Sequence, residues 1–355
     1  MADSANPIEE LKVKLASTFS DLLGPQSSLS PEKAAEQIVA IAKAYVDEHS
    51  NDPVDPNAVR RNSGPKRDTP GAETFFWSLW ECLVEAISEW NSEATFRHNL
   101  GQAIALVKAL QAQPDEPKWT IWGEDTSIKA LPLVGPSLRE ANNGPLAYLG
   151  PDDDALARPE VQNALAGAPP ATLVKDENID LAVLRRKNWL AFQGFMAKLW
   201  AEAGLESFAV CSIWAVRDGL EDWPAAPPPI FDQTESEEER PVGEETPAYR
   251  VLLAEGAAMW FVFAAPQMYA CTEIWGPNGN PDWPSNKGAP GRGGERWQGV
   301  DGMDKEKQRW ALWREVLKDV VAWHDREEVA GRGVGWRVKY IVAAALEEMY
   351  KAQQK

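Results

Sequence analysis

TFFWSLWECLVEAISEW, Thr74 to Trp90, is the stretch on which the fold class turns. Phe76, Leu79, Trp80, Leu83, Val84, Ile87 and Trp90 recur at steps of three and four, the spacing that lines one face of a 3.6-residue helix. Glu81, Glu85 and Glu89 fall on the opposite ridge, where they stay in water. A second apolar stripe follows in Phe96, Leu100, Ile104, Val107 and Leu110 and stops at Pro114, so the two segments predict a helical hairpin.

The same period extends in both directions. Upstream, Asn6 as N-cap, Pro7 in the first turn and Glu9 two residues on open a helix with Ile8, Leu11, Leu15, Phe19 and Leu22 on one side, closed at Gly24-Pro25. Ser30-Pro31 opens another, with Ala35, Ile38, Ala42, Tyr45 and Val46. Downstream, Trp189, Phe192, Met196, Leu199 and Ala203 lead to a stop at Gly204, and Phe208, Ala209, Ile213, Trp214, Arg217 and Leu220 lead to Trp223-Pro224. The charge-free run from Ala257 to Cys271 is short for a bilayer span and contains Pro266, which favours a buried central helix. Two closing helices carry Trp310, Trp313, Leu317, Val320 and His324, then Val338, Val342, Ala345 and Met349.

Sustained period-two alternation is missing, so the expected class is all-α: an irregular multi-helix bundle of amphipathic hairpins joined by long Pro/Gly-rich loops. Residues 115–175 are broken by prolines and glycines and predict short helices around Leu138-Arg139-Glu140 and from Pro159 to Leu165. The expected organisation is an N-terminal helical pair over 1–50, a linker over 51–72, a helical core over 73–223, an acidic Pro-rich loop over 224–247, and C-terminal helices over 248–355 that complete the same globule. No fixed-period repeat argues for a solenoid.

Composition narrows the partners. The chain of 355 residues carries 36 Lys and Arg against 54 Asp and Glu, a formal charge of −18. That charge repels phosphate backbones and anionic membranes, so neither nucleic acid nor membrane is the expected partner. The basic clusters Arg60-Arg61 with Lys66-Arg67, and Arg185-Arg186-Lys187, are small enough for solvated faces. Met1-Ala2-Asp3-Ser4 shows no basic and apolar leader pattern, and Cys82, Cys211 and Cys271 read as separate buried thiols. A reducing, cytoplasmic setting is expected, with the nucleus open as well.

The sequence shows no catalytic, cofactor or metal set. Asp152-Asp153-Asp154 follows Gly150-Pro151 and lacks a second acidic residue one turn on, so it reads as a helix cap. His49, His98 and His324 are unpaired in the sequence, and none completes a Glu-x-x-His arrangement. Gly288, Gly291, Gly293 and Gly294 precede no Lys-Ser/Thr, and Gly331, Gly333 and Gly335 fail the dinucleotide pattern.

Tryptophan is what stands out, at 17 residues. Trp77, Trp80, Trp189, Trp200, Trp214, Trp310, Trp313 and Trp323 fit as core wedges between helices. Trp275, Trp283 and Trp297 lie in the loop from Gly276 to Gly302, which is either packed down or a lid over an apolar cavity. In the lid reading the candidate pocket is Trp275, Trp283, Trp297 and Trp313, with Arg217 or Arg309 as its polar fixture.

An ordered set of short motifs adds a resemblance. These are Phe76-Trp77-x-x-Trp80; Trp122-Gly123; Leu131-Pro132-x-x-Gly135-Pro136-x-Leu138-Arg139-Glu140-Ala141; Trp189-x-x-Phe192; Trp214-x-x-Arg217-Asp218-x-Leu220-Glu221; Ala257-Ala258-x-Trp260; and Trp297-x-Gly299, Gly302, Arg309-Trp310-x-x-Trp313. Their order over roughly residues 70–350 resembles a fungal, mainly ascomycete, family of proteins known as domain of unknown function 3632. The resemblance implies a helical, intracellular protein of fungal origin and lends no activity, cofactor or catalytic residue. A longer Gly276 to Gly302 loop and the Pro266 interruption depart from it.

Two functions follow as expectations. The first is a non-enzymatic module that engages another protein through its acidic surface and exposed loops. The alternative is a binder or enzyme for a small apolar metabolite in the Trp-lined pocket.

Overall fold

A computed structural model of the chain describes residues 6–24, 27–53, 66–142, 158–167, 175–226, 246–329 and 336–354. The all-α expectation holds among these residues, apart from one small hairpin. The chain forms two compact units, Met1–Asn142 and Asn143–Lys355.

The first unit contains α1 (Pro7–Leu23), α2 (Pro31–Glu48), α3 (Ala72–Ser88), α4 (Glu93–Gln111) and α5 (Val134–Ala141). Side-chain caps start the helices where the sequence placed them. Asn6 accepts the Ile8 N–H at 3.2 Å, and Ser30 accepts that of Lys33 at 3.3 Å, each satisfying a donor that has no partner within the helix. Helix α1 packs on α2, α3 and α4, so Leu11, Leu15, Phe19 and Leu22 leave water together with Phe76, Leu79, Trp80 and Leu83 of α3. Each such side chain contributes roughly 1.5–3 kcal/mol of transfer free energy. Ile8 departs from its stripe and is 38% exposed.

Between α4 and α5 lies the departure from pure helix: β1 (Trp119–Ile121) pairs antiparallel with β2 (Glu124–Thr126). Strands of three residues are too short to show alternation in a sequence. The turn is Trp122-Gly123, with φ 54° and 80°, and two positive φ values in succession suit a two-residue hairpin. The indole of Trp122 donates to Glu73 Oε1 at 3.0 Å, which holds a non-glycine residue in that region.

This hairpin also changes the expected division of the chain. The end of the predicted linker is pinned to it: Thr69 N–H donates to Thr120 O at 2.8 Å, Thr120 N–H to Thr69 Oγ1 at 2.8 Å, and Gly123 N–H to Asp68 Oδ1 at 2.7 Å. The helical pair of 1–50 therefore packs with α3 and α4 in one unit, and the division falls after Asn142 instead of at 51–72. Pro-rich polarity marks where a chain leaves regular structure, and says nothing of what that stretch binds.

In the second unit stand α6 (Pro159–Leu165), α7 (Glu177–Ala203), α8 (Ala209–Val216), α9 (Pro247–Ala270), α10 (Gln308–Val329) and α11 (Trp336–Gln353). Helix α9 is the axis and packs on α6, α7, α8, α10 and α11. It is long and apolar enough to cross a membrane by length and composition, yet 72% of its apolar window is buried inside the unit, the expected central helix. Pro266 lacks a donor and crowds the preceding turn, and α9 kinks at Ala264 (φ −136°, ψ 16°).

The predicted short helices match α5 and α6. The sites at Asp152-Asp153-Asp154, Arg60-Arg61 and Gly331 to Gly335, and the acidic loop over 227–245, lie outside the described residues.

Candidate functional site

Helix α8 does not simply end. Over Arg217–Glu221 it widens to a π-turn, which admits one more residue per turn and re-aims the side chains after it. Gly219 makes the widening possible against α9, because a Cβ there would stand 2.4 Å from the Leu253 carbonyl oxygen. The consequence is a fully buried carboxylate at Glu221.

That carboxylate accepts four hydrogen bonds. Oε1 takes Arg309 Nε at 2.6 Å and Trp313 Nε1 at 2.7 Å; Oε2 takes Arg309 Nη2 at 3.0 Å and the Gly294 N–H at 2.8 Å. The same turn receives Arg296 N–H on the Glu221 carbonyl at 3.0 Å and Glu295 N–H on Asp222 Oδ1 at 2.8 Å.

Arg309, in the first turn of α10, is equally committed. Its Nη1 donates to the carbonyls of Gly302 at 2.7 Å and Gly291 at 3.0 Å, and Nη2 also approaches that of Arg292 at 3.4 Å. Its guanidinium lies 5.6 Å from both the Trp297 and the Trp313 ring centroids, between two π faces. Removing two charges from water costs several kcal/mol per ion, and full hydrogen bonding by a planar five-donor group is what offsets it.

The loop from Gly276 to Gly302 is thereby wrapped on a charged post. Trp275 N–H donates to Asp301 O at 2.7 Å, Gly291 N–H to Trp275 O at 2.8 Å, Trp297 Nε1 to Val300 O at 3.0 Å and Trp214 Nε1 to Pro290 O at 2.9 Å. Of the residues picked from the sequence, Arg309, Trp313 and Trp297 meet here, and Trp275 joins through its backbone. Trp283 sits farther out, half-buried, with its indole on Gly288 O at 2.8 Å. Arg217 pairs with Asp218 at 2.7 Å instead of joining the cluster. Because each Arg309 N–H already has a protein acceptor, this residue acts as a clasp and has no donor left to fix a ligand.

Several groups escaped the sequence reading. Glu221 was visible only as a motif member, although a carboxylate between Leu220 and Trp223 on an apolar face is a signal for a buried partner. Arg186 of α7 pairs with Glu255 of α9, both buried, and donates to Leu165 O at 2.9 Å. Gln193 accepts Trp260 Nε1 at 2.7 Å. Nothing local in the sequence distinguishes Arg186 from its neighbours Arg185 and Lys187.

The reactive options remain quiet. Burial pushes the Cys82 thiol up to about 11, with Glu85 adding to the effect, and burial also raises Cys271, so neither is a ready thiolate near neutral pH. Cys82 and Cys211 are buried as expected, whereas Cys271, at the end of α9, is only half-buried. Among the described residues no group of three or more His, Cys, Asp or Glu side chains could hold a metal ion. In the Gly288 to Gly294 run, the amide a phosphate would need at Gly294 already faces a carboxylate.

The motifs that carried the resemblance prove to be contact partners. Trp80 Nε1 donates to Pro132 O at 2.7 Å, Phe76 meets Trp119 edge-on at 5.7 Å, and Trp297, Arg309 and Trp313 gather at the clasp. No curated protein and no solved structure matches the chain. Residues 80–317, more than half of the chain and including the whole clasp, match the family described as "Protein of unknown function (DUF3632)", and the chain belongs to that family.

Proposed function

We propose that the protein is a non-catalytic interaction module of the reducing cell interior, and that it offers the Gly276 to Gly302 loop to a partner protein with a basic surface. One observation carries this reading. The loop's base is anchored on the buried Arg309–Glu221 pair, while Pro277, Asn278, Pro281, Asp282 and Pro284 to Gly288 stay exposed. A long loop that holds only one short helical turn, Ser285–Lys287, and is ordered from beneath is pre-organised, so binding does not have to order it again. The formal charge of −18 favours encounter with a cationic partner, and all three cysteines are free thiols. The alternative, an apolar metabolite held in a Trp-lined pocket with Arg309 as fixture, draws less support because Arg309 has no N–H to give.

The test is affinity capture with the full chain beside a double variant, Asp282→Lys with Ser285→Lys, which removes the acidic residue of the exposed tip, makes the tip positive and leaves the clasp intact. The expected result is a partner held in stoichiometric amount by the parent chain and lost by the variant. Equal capture by both, or no stoichiometric partner at all, refutes the proposal.

A further inference from the structure

In the first unit, the start of α1, the end of α2 and the turn into α3 converge on a cleft of about 370 Å³. A groove of about 600 Å³ between α1 and α2 shares Pro7, Tyr45 and His49 with it. The cleft lies before residue 80 and so outside the segment that matches the family. Its chemistry is one-sided among the described residues, since Asp52, Asp68 and Glu73 line it and no described Lys or Arg does.

Two of these carboxylates are held in place by one oxygen each. Asp68 Oδ1 receives the Gly123 N–H, and Glu73 Oε1 receives the indoles of Trp77 at 3.3 Å and Trp122 at 3.0 Å. Their second oxygens accept nothing from the described residues.

Tyr45 brings a hydroxyl to the same cleft. It is 9% exposed, lines both cavities and stacks on His49 with centroids 4.1 Å apart, yet its hydroxyl has no hydrogen-bond partner among the described residues. That oxygen is available to accept a hydrogen bond from a molecule in the cleft. Burial, then the charges of Asp52 and Glu48, raise its pKa, so the phenol keeps its proton and its oxygen remains a neutral acceptor.

Helix ends do not change the sign. The starts of α1 and α3 each bring roughly half a positive charge and the end of α2 roughly half a negative one, against three full carboxylates. Pro7, Ile8, Pro53 and Pro70 provide apolar wall.

We propose that this cleft binds an organic ammonium ion, a primary amine or short polyamine on an apolar stem, whose N–H donors are shared among Asp52, Asp68, Glu73 and the Tyr45 hydroxyl. An ammonium carries three donors and no acceptor, the complement of this lining. The proposal is independent of the loop and its partner.

Calorimetric titration of the full chain with spermidine in about 0.15 M salt, where distant surface charges are screened, tests it. One saturable site is expected, weakened about tenfold or more by Asp52→Asn and several-fold by Tyr45→Phe. Thr74→Lys, which puts a fixed ammonium into the cleft, abolishes binding and serves should Asp52→Asn fail to fold by circular dichroism. No binding heat, or multi-site binding that all three variants retain, overturns the proposal and marks mere attraction to an acidic protein.

Discussion

Among the described residues, the buried polar side chains of the first unit, Thr18, Ser78, Ser88, Asn99 and Ser127, are all uncharged, whereas the second unit buries Arg186, Glu221, Glu255, Asp301, Arg309 and His324. The first unit follows apolar stripes that many aliphatic combinations would satisfy, because burial of oily surface is not directional. The second has to fix a long irregular loop against helix ends, where backbone carbonyls and amides need specific partners. A buried guanidinium and carboxylate meet that need by geometry more than by net energy. Ion pairs of this kind make one arrangement of the loop far better than its neighbours.

Arg309→Ala leaves Glu221 charged and buried and frees three loop carbonyls, so a loss of about 3–5 kcal/mol in guanidinium-induced unfolding is expected. Arg309→Lys keeps the charge yet should recover little, since a point charge cannot serve the fork. If Lys restores full stability, the directional account is wrong.

A double-mutant cycle sharpens the same contrast at Arg186 and Glu255. Arg186→Met and Glu255→Gln should each be destabilising by a few kcal/mol, about 3–5 for the first, while the double variant should be less unstable than the sum. Additive losses would mean that the pair contributes packing alone. The smallest effect belongs to the first unit, where Ile38→Val, fully buried in α2, should cost about 0.5–1.5 kcal/mol with cooperativity unchanged. A far larger loss there would show that the first unit is as exacting as the second.

Much of the helical content was legible because each helix writes its own face: α1, α2, α3 and α4 carry apolar stripes, and α1, α2 and α4 also side-chain caps, that need no knowledge of their partners. The hairpin at Trp119–Thr126 was not legible, since three-residue strands show no period and the Trp122 indole, at a positive φ, is held by Glu73, 49 residues away. The tryptophan-rich loop and the residues Trp275, Trp283, Trp297, Arg309 and Trp313 could be picked out by composition, but their arrangement could not. Whether Arg309 fixes a ligand or clasps a loop depends on Glu221, 88 residues away in the chain.

Sequence alone determined that this chain is acidic, helical and rich in buried indole, because helix periodicity and charge are local or additive properties. The tertiary structure alone decided that the chain divides after Asn142, that Glu221 and Arg309 meet, and that Asp52, Asp68, Glu73 and Tyr45 share one cleft. Those outcomes depend on which distant groups must leave water together, and a buried charge or hydroxyl takes its meaning from the partner that stands within about 3 Å of it.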